Sequence, residues 1–202
     1  MAKITIEADE KSLKRLKSAL EKYPKAAETA MIRLMNEAVT KGSGELLKLI
    51  PQKYNIKKSD LQGGSRYKSE QSNNLVKAKK ISSLHQQAKV EVRGGLLTLQ
   101  RFITNTRKPS HITREILKVK VKKGKAKSLG KYAFLQNDES GNLQVFQRRS
   151  NSRKISRLMK TTSVAFMASN EEIAPKVQEA INDKLEKRVE HYIDMELKKI
   201  KG

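Results

Sequence analysis

IAPKVQEAINDKLEKRVEHYIDMELKKI, residues 173–200, is the stretch whose reading decides the fold class. Its apolar residues Ile173, Val177, Ile181, Leu185, Val189, Ile193, Leu197 and Ile200 recur at steps of three or four, which places them on one face of an α-helix. Two acid-first pairs four residues apart, Asp183 with Lys187 and Asp194 with Lys198, favour the same helix. A helix of about 30 residues at about 1.5 Å per residue is about 45 Å long. That exceeds the width of a small compact domain, so the stripe must cover a sheet of its own chain, a neighbouring copy, or both.

Upstream of this helix the period changes. Segments 75–81, 88–92, 115–121, 132–136 and 144–147 are short, β-branched or alternating, and separated by Gly, Asn or polar runs, which predicts strands. Asp138-Glu139-Ser140-Gly141-Asn142 reads as a hairpin turn, with Gly141 available for positive φ. Residues 94–102 fit either period. Residues 62–74, with Gly63-Gly64 among Ser, Asn and Gln, read as a mobile loop.

At the other end, Ile4, Ile6 and Ala8 alternate as a short strand would. Asp9 or Ser12 can then cap a helix to about Tyr23 with Leu13, Leu16 and Leu20 on one face. Pro24 suits the first turn of a second helix over 24–49, whose Ala27, Met31, Leu34, Met35, Ala38, Leu46 and Leu49 share helical spacing. Gly42 and Gly44 each weaken its middle by about 1 kcal/mol relative to Ala, so a kink or a close packing contact is expected there. Pro51 is expected to end the helix, and 55–61 to form a helical corner. These elements predict an α+β fold over a single domain, 1–202. Long N- and C-terminal helices would pack on a small, mostly antiparallel sheet from the middle of the chain.

The charge is distributed unevenly. The chain carries 44 Lys and Arg against 21 Asp and Glu, a formal net charge of +23. Residues 1–50 and 171–202 are each close to neutral, while 51–170 hold 27 basic and six acidic residues. A surface so one-sided repels itself and calls for a polyanion or acidic partner to neutralise it. With no Trp and 4% aromatic residues, the core must come from Leu, Ile, Val, Ala and Met. The absence of Cys removes disulfides and thiolate chemistry and fits a reducing compartment. No apolar run approaches a membrane span of about 18–20 residues, and the first residues hold no hydrophobic signal core. The expectation is a soluble protein kept in the host cytoplasm until assembly or lysis, with no membrane contact.

The templates of enzyme chemistry find no match. His85, His111 and His191 lack paired ligand spacing, Gly63-Gly64 and Gly94-Gly95 are isolated pairs that read as turns, and no carboxylate dyad suggests itself. No catalytic, cofactor or metal residue is predicted. The positive signal lies in two basic runs. Residues 107–131 contain ten Lys and Arg and the single acid Glu115, and 148–160 add six basic residues and no acid. From the first run Arg107, Lys108, Lys118, Lys120, Lys122, Lys123, Lys125 and Lys127 are the candidate contacts to DNA phosphates or another polyanion. From the second they are Arg148, Arg149, Arg153, Lys154 and Arg157. Such contacts neutralise and position a nucleic acid without reading its sequence. In Lys118-Val119-Lys120-Val121-Lys122 the lysines fall on one strand face and the valines on the other. A solvated, charged strand face is the alternative reading. Tyr132, Phe134 and Phe146 alternate as core residues would, which argues against base stacking on a single strand.

Ala133-Phe134-Leu135-Gln136, the Gly141 turn, and Leu143-Gln144-Val145-Phe146-Gln147-Arg148 resemble the minor tail protein Z family of long-tailed phages and prophages. In the family order, a basic stretch around Arg153-Lys154-Ile155 and the long helix follow, though Arg153 or Lys154 stands where the family often has Pro. Upstream, Ala30-Met31-Ile32-Arg33-Leu34-Met35-Asn36-Glu37-Ala38 resembles the family's Ala, Arg and Asn helix. Tyr54-Asn55-Ile56-Lys57-Lys58-Ser59-Asp60-Leu61 is similar to its Y-N-I-x-x-x-D-L corner. The likeness spans most of 26–200, and its order is the specific element. It implies a non-enzymatic tail-completion protein at the head-proximal end of the tail, in the virion, near the tail terminator and tape-measure proteins. It also implies assembly as a ring, with six copies expected. Genomic DNA in the tail lumen, acidic proteins and solvent all remain open as what the basic surface faces. The competing class is a free-standing, sequence-nonspecific DNA-binding protein.

Overall fold

The computed structural model describes residues 10–62, 75–105, 116–149 and 155–201. Helices α1 (Glu10–Ala19), α2 (Pro24–Lys53) and α3 (Lys58–Leu61) come first. Strands β1 (Val76–Lys79), β2 (Lys89–Val92) and β3 (Leu96–Thr98) follow, then a 3-10 turn (Leu99–Phe102), β4 (Lys118–Val119) and β5 (Lys127–Ser128). β6 (Ala133–Asn137), β7 (Leu143–Arg148), β8 (Ile155–Leu158) and β9 (Lys160–Ser163) lead to helices α4 (Val164–Ala168) and α5 (Ala174–Lys201). The α+β class expected from the sequence is the one observed, except that among the described residues the middle of the chain makes four small antiparallel sheets. The strand expected over 3–8 and most of the loop expected over 62–74 lie outside the described residues.

The chain divides into two compact units, each assembled from separated segments. The first, the helical unit, comprises 3–48, 76–92 and 168–202. Its core is the apolar stripe of α5, where Ile173, Val177, Ile181, Leu185, Val189 and Ile193 are buried. Leu16, Leu20, Ala30, Leu34, Ala38 and Leu46 of α1 and α2 are buried in the same unit. The stripe fades at its end, where Ile200 is exposed and Tyr192 and Glu196 are buried instead. The β1–β2 hairpin, in register Val76↔Val92 and Ala78↔Val90, buries Val76, Val90 and Val92. Asn36 of α2 holds the chain just after β1: its amide donates to the Ile81 carbonyl and accepts from the Ile81 N–H, both at 2.8 Å.

Gly42 shows why α2 carries a glycine among residues of better helix propensity. A Cβ built there would lie 2.5 Å from Ile181 Cδ1 and 2.8 Å from Ile181 Cγ1, with Val90 Cγ2 at 3.3 Å. Ile181 and Val90 are fully buried, so neither has room to retreat. Close packing, of the two outcomes expected for this segment, is the one found. Gly44 is exposed, with nothing within 4 Å of a built Cβ.

The β-rich unit comprises 49–75 and 93–167. It holds the sheets β3–β9, β4–β5 and β6–β7–β8 around Tyr54, Leu61, Phe102, Leu135, Val145 and Met167. Pro51 does not end α2, which runs on to Lys53. Proline removes one N–H from a helix ladder, and here only the last turn follows it. That turn is tied down by neighbours: Tyr54 N–H bonds to the Ile50 carbonyl, Asn55 N–H to Val121 and Lys123 N–H to Lys53. In the helical corner, Asp60 accepts from the Lys57 N–H at 3.4 Å and opens α3.

The β6–β7 hairpin forms as expected, with Phe134↔Phe146 in register and Gly141 at φ 78° in the turn. Asp138 accepts the Ser140 and Asn142 N–H groups across that turn. Phe134 is buried, but Phe146 is only half-buried, against the expectation that both would be core. Leu135 and Val145, on the opposite face, are the fully buried pair. The basic run 148–160 carries strands at both ends of its described residues, since β7 runs to Arg148 and pairs with β8, and β9, which begins at Lys160, pairs with β3.

Two glycine substitutions should separate propensity from packing. Gly42→Ala is expected to destabilise the protein by about 1–3 kcal/mol, because a buried core resists an added methyl. Gly44→Ala should stabilise it by about 0.5–1 kcal/mol through helix propensity alone. Urea denaturation of both variants measures the two signs; equal signs would overturn the packing account.

Candidate functional site

The charge asymmetry read from the sequence follows the two units. The segments of the helical unit hold 21 Lys and Arg against 16 Asp and Glu, and those of the β-rich unit hold 23 against five. Of the β-rich unit's carboxylates, Asp60 and Asp138 are committed to backbone amides. The lysines therefore have little to pair with.

The β4–β5 hairpin concentrates them. Lys118, Lys122, Lys123, Lys125 and Lys127 are exposed and Lys120 is half-buried. Lys118 pairs with Ser128 and Val119 with Lys127, and Val119 is buried beneath. The loop between the strands is pinned by its backbone: Lys120 N–H bonds to the Phe102 carbonyl at 2.9 Å and Lys123 N–H to Lys53 at 2.8 Å, while Tyr54 bridges Lys122. Asn105 closes the base, accepting from the Lys118 N–H and donating to the Ile116 carbonyl. Among the described residues no carboxylate pairs with any of these six lysines. A fixed backbone thus holds several ammonium groups together in solvent.

The second run is less uniform. Arg148 lies with its guanidinium carbon 4.6 Å from the centre of the Phe134 ring, a cation–π contact that uses one face of the group. Arg149 is exposed at the end of β7. Arg157 is placed on β8 opposite Gln147. Arg107, Lys108, Arg153 and Lys154 lie outside the described residues.

Sequence reading missed a second charged site, in the helical unit. Glu37 of α2 accepts from Arg188 Nε at 3.1 Å and Nη2 at 3.2 Å, and from the Tyr192 hydroxyl at 2.8 Å. Lys184 Nζ lies 3.1 Å from the same carboxylate. Burial alone would raise the Glu37 pKa, but hydrogen bonds from Arg188, Tyr192 and Lys184 outweigh it and lower the value from 4.5 to about 2. Burial, then the Glu37 carboxylate, pushes the Tyr192 hydroxyl up, and Glu37 also raises Arg188. The only sequence signal was the spacing of Lys184, Arg188 and Tyr192 at four-residue steps beside the apolar stripe.

Glu37, Lys184 and Tyr192 of this cluster also line a groove of about 770 Å³. Residues Arg33, Asn36, Glu37, Thr40, Lys41, Gly44, Glu45 and Lys48 form its α2 side, and Lys80, Lys184 and Tyr192 face them. Among the described residues, no three His, Asp or Glu side chains gather as a metal site would need, and no helix is long and apolar enough to cross a membrane.

Glu37 predicts a pH signature. A carboxyl whose folded pKa lies below its unfolded value stabilises the fold above the unfolded value, and that stabilisation is lost as pH falls toward the folded one. Glu37→Gln should therefore lower stability at pH 7 by about 1–2 kcal/mol, the full shift being discounted because a third of the side chain meets solvent. The gap between variant and wild type should narrow between about pH 5 and pH 2. Denaturation at a series of pH values measures it; a gap that stays constant would remove the ionised carboxylate from the account.

No family model, curated protein or solved structure matches this chain.

Proposed function

We propose that this chain is a non-enzymatic tail-completion protein of a long-tailed phage or prophage, present in the virion at the head-proximal end of the tail. In this reading six copies form a ring beside the tail terminator and tape-measure proteins, and the lysine hairpin faces the DNA path. The observation that carries the reading is the order of the motifs, and those within the described residues fall on elements where their residues have a structural task. Arg33 pairs with Glu196 and Asn36 anchors the chain after β1. Tyr54 and Leu61 are buried and Asp60 opens α3. Phe134, Gly141 and Arg148 build the β6–β7 hairpin and its cation–π contact. Imaging of intact particles should find the protein as a six-fold ring at the neck; a single copy, or its absence from the neck, overturns the reading.

A free-standing, sequence-nonspecific DNA-binding protein is the second reading, favoured by the uncompensated lysines of the β4–β5 hairpin alone. Size separates the two, since a neck component forms a defined ring or binds tail proteins and a free DNA binder need not. Both readings share one electrostatic prediction. Each phosphate neutralised releases condensed counterions, so log affinity for duplex DNA should fall with log salt at about −0.9 per contact. Replacing Lys120, Lys122, Lys123 and Lys125 by Gln should weaken all duplex sequences alike and flatten the slope by up to about 3–4 units. Fluorescence anisotropy at two salt concentrations measures this. Wild type binding no better than the variant would leave acidic proteins as the partner of the hairpin.

A further inference from the structure

We propose that the groove along α2 in the helical unit docks an acidic segment of a partner protein, one that carries carboxylates separated by neutral residues. The groove is independent of the lysine hairpin and of the tail-completion reading. Its floor runs from Arg33 to Lys48 on one face of α2, about 22 Å at about 1.5 Å per residue.

Its electrostatics leave work for an anion. Two carboxylates line the groove, Glu37 and Glu45, and a third, Glu196, pairs with its Arg33; each is shared by at least two cations. Glu45 lies between Lys41 at 3.6 Å and Lys48 at 3.2 Å. Glu37 is shared by Lys184 and Arg188, and Glu196 by Arg33 at 3.0 Å and Lys199 at 2.7 Å. Lys80 has no ion pair among the described residues. Five cations, Arg33, Lys41, Lys48, Lys80 and Lys184, thus line the groove against two carboxylates, Glu37 and Glu45.

The order of charge selects the kind of anion. Along the floor the sign alternates: Arg33, Glu37, Lys41, Glu45, Lys48. A single-stranded nucleic acid, with a charge on every phosphate, would bring phosphates against Glu37 and Glu45. A peptide can place its carboxylates over Arg33, Lys41 and Lys48 and set neutral residues over the acids. These cations stand about 10–12 Å apart along the axis, which an extended chain at about 3.3 Å per residue spans in three to four residues. Gly44, midway between Lys41 and Lys48, carries no side chain and has open space before it, so the backbone of an occupant can approach the helix there.

The test uses the full chain and three fluorescein-labelled probes: a peptide with Glu at every fourth position between Ser and Ala, its Gln counterpart, and an oligodeoxythymidine. Two groove variants are compared with wild type. The triple variant Lys41→Gln, Lys48→Gln, Lys80→Gln removes charge, and Gly44→Gln fills the open floor with no change of charge. Lys187→Gln, on the same unit outside the groove, is the control, and circular dichroism confirms that each variant is folded. The Glu peptide is expected to bind wild type and the control equally, the Gln peptide at least tenfold more weakly. Both groove variants should lose roughly threefold to tenfold in affinity for the Glu peptide. The proposal is overturned if the Glu peptide binds no better than its Gln counterpart, or if Gly44→Gln leaves its affinity unchanged. It is overturned equally if the oligodeoxythymidine competes for the groove and loses affinity with the same variants, which would make the site a nucleic-acid groove.

Discussion

The approach of α5 to α2 at Gly42 is the contact on which the helical unit depends. Helices normally pack with axes about 8–10 Å apart, held off by side chains at the crossing. Here the crossing residue has no side chain, and Ile181 occupies the space with Val90 of β2 beside it. The contact also sets the register. Gly42 lies against Ile181, Glu37 against Lys184, Arg188 and Tyr192, and Arg33 against Glu196, so the two helices run antiparallel. A shift of one residue along either helix would move Glu37 off its three donors, leaving a half-buried carboxylate without the bonds that hold it ionised. Apolar lock and polar cluster therefore specify the same alignment, and α1 joins the pair through α5, where Arg15 meets Glu190.

The distribution of carboxylates explains the rest of the electrostatics. The helical unit uses acids to join helices, and it is nearly balanced as a result. In the β-rich unit two of the described acids secure a helix start and a hairpin turn, which are local backbone tasks that neutralise no lysine. The cost is self-repulsion among the hairpin lysines. Backbone bonds from Lys120, Val121 and Lys123 to the chain at Phe102, Asn55 and Lys53 oppose it, by fixing the loop whatever its side chains do. Such a surface is pre-organised for a uniform polyanion, because the ordering entropy of the loop is already spent in folding.

Much of this is legible in the sequence, and what is not has a common cause. The α5 stripe, the start of α2 at Pro24, the β1, β2, β6 and β7 strands and the Gly141 turn are local patterns, each visible in a window of a few residues. The pairing of β3 with β9 joins Leu96 to Ser163, and nothing near either residue announces it. For the same reason the sequence suggests one sheet where the described residues form four: strand patterns tell which residues extend, and the partners come from tertiary packing. Pro51 misleads because its local effect, a lost N–H, is outweighed by bonds to residues beyond 120. Alternation points Phe146 into the core, yet both faces of this hairpin bury residues and the better-covered one carries Leu135 and Val145. At the site, the lysine runs are plain in the sequence. The Glu37 cluster is not, because a carboxylate and its partners more than 145 residues away read as ordinary surface charge.

Apart from Arg33, which also lines the groove, the motif residues and the charged surfaces belong to different layers of the molecule. Arg33, Asn36, Tyr54, Asp60, Phe134 and Gly141 each close a contact within a unit, so a likeness in those positions is a likeness of scaffold. The hairpin lysines and the groove lysines Lys41, Lys48 and Lys80 lie on that scaffold and contribute little to holding it together, whereas Arg33 and Lys184 of the groove also join helices. Exposed ion pairs are worth at most about 1 kcal/mol each, and the hairpin lysines form none among the described residues. Replacing them should leave the fold intact while changing what it attracts. The two surfaces also differ in kind: the hairpin presents one sign throughout, whereas the groove alternates signs along a helix. The first fits an anion that repeats its charge at every step, and the second an anion that does not.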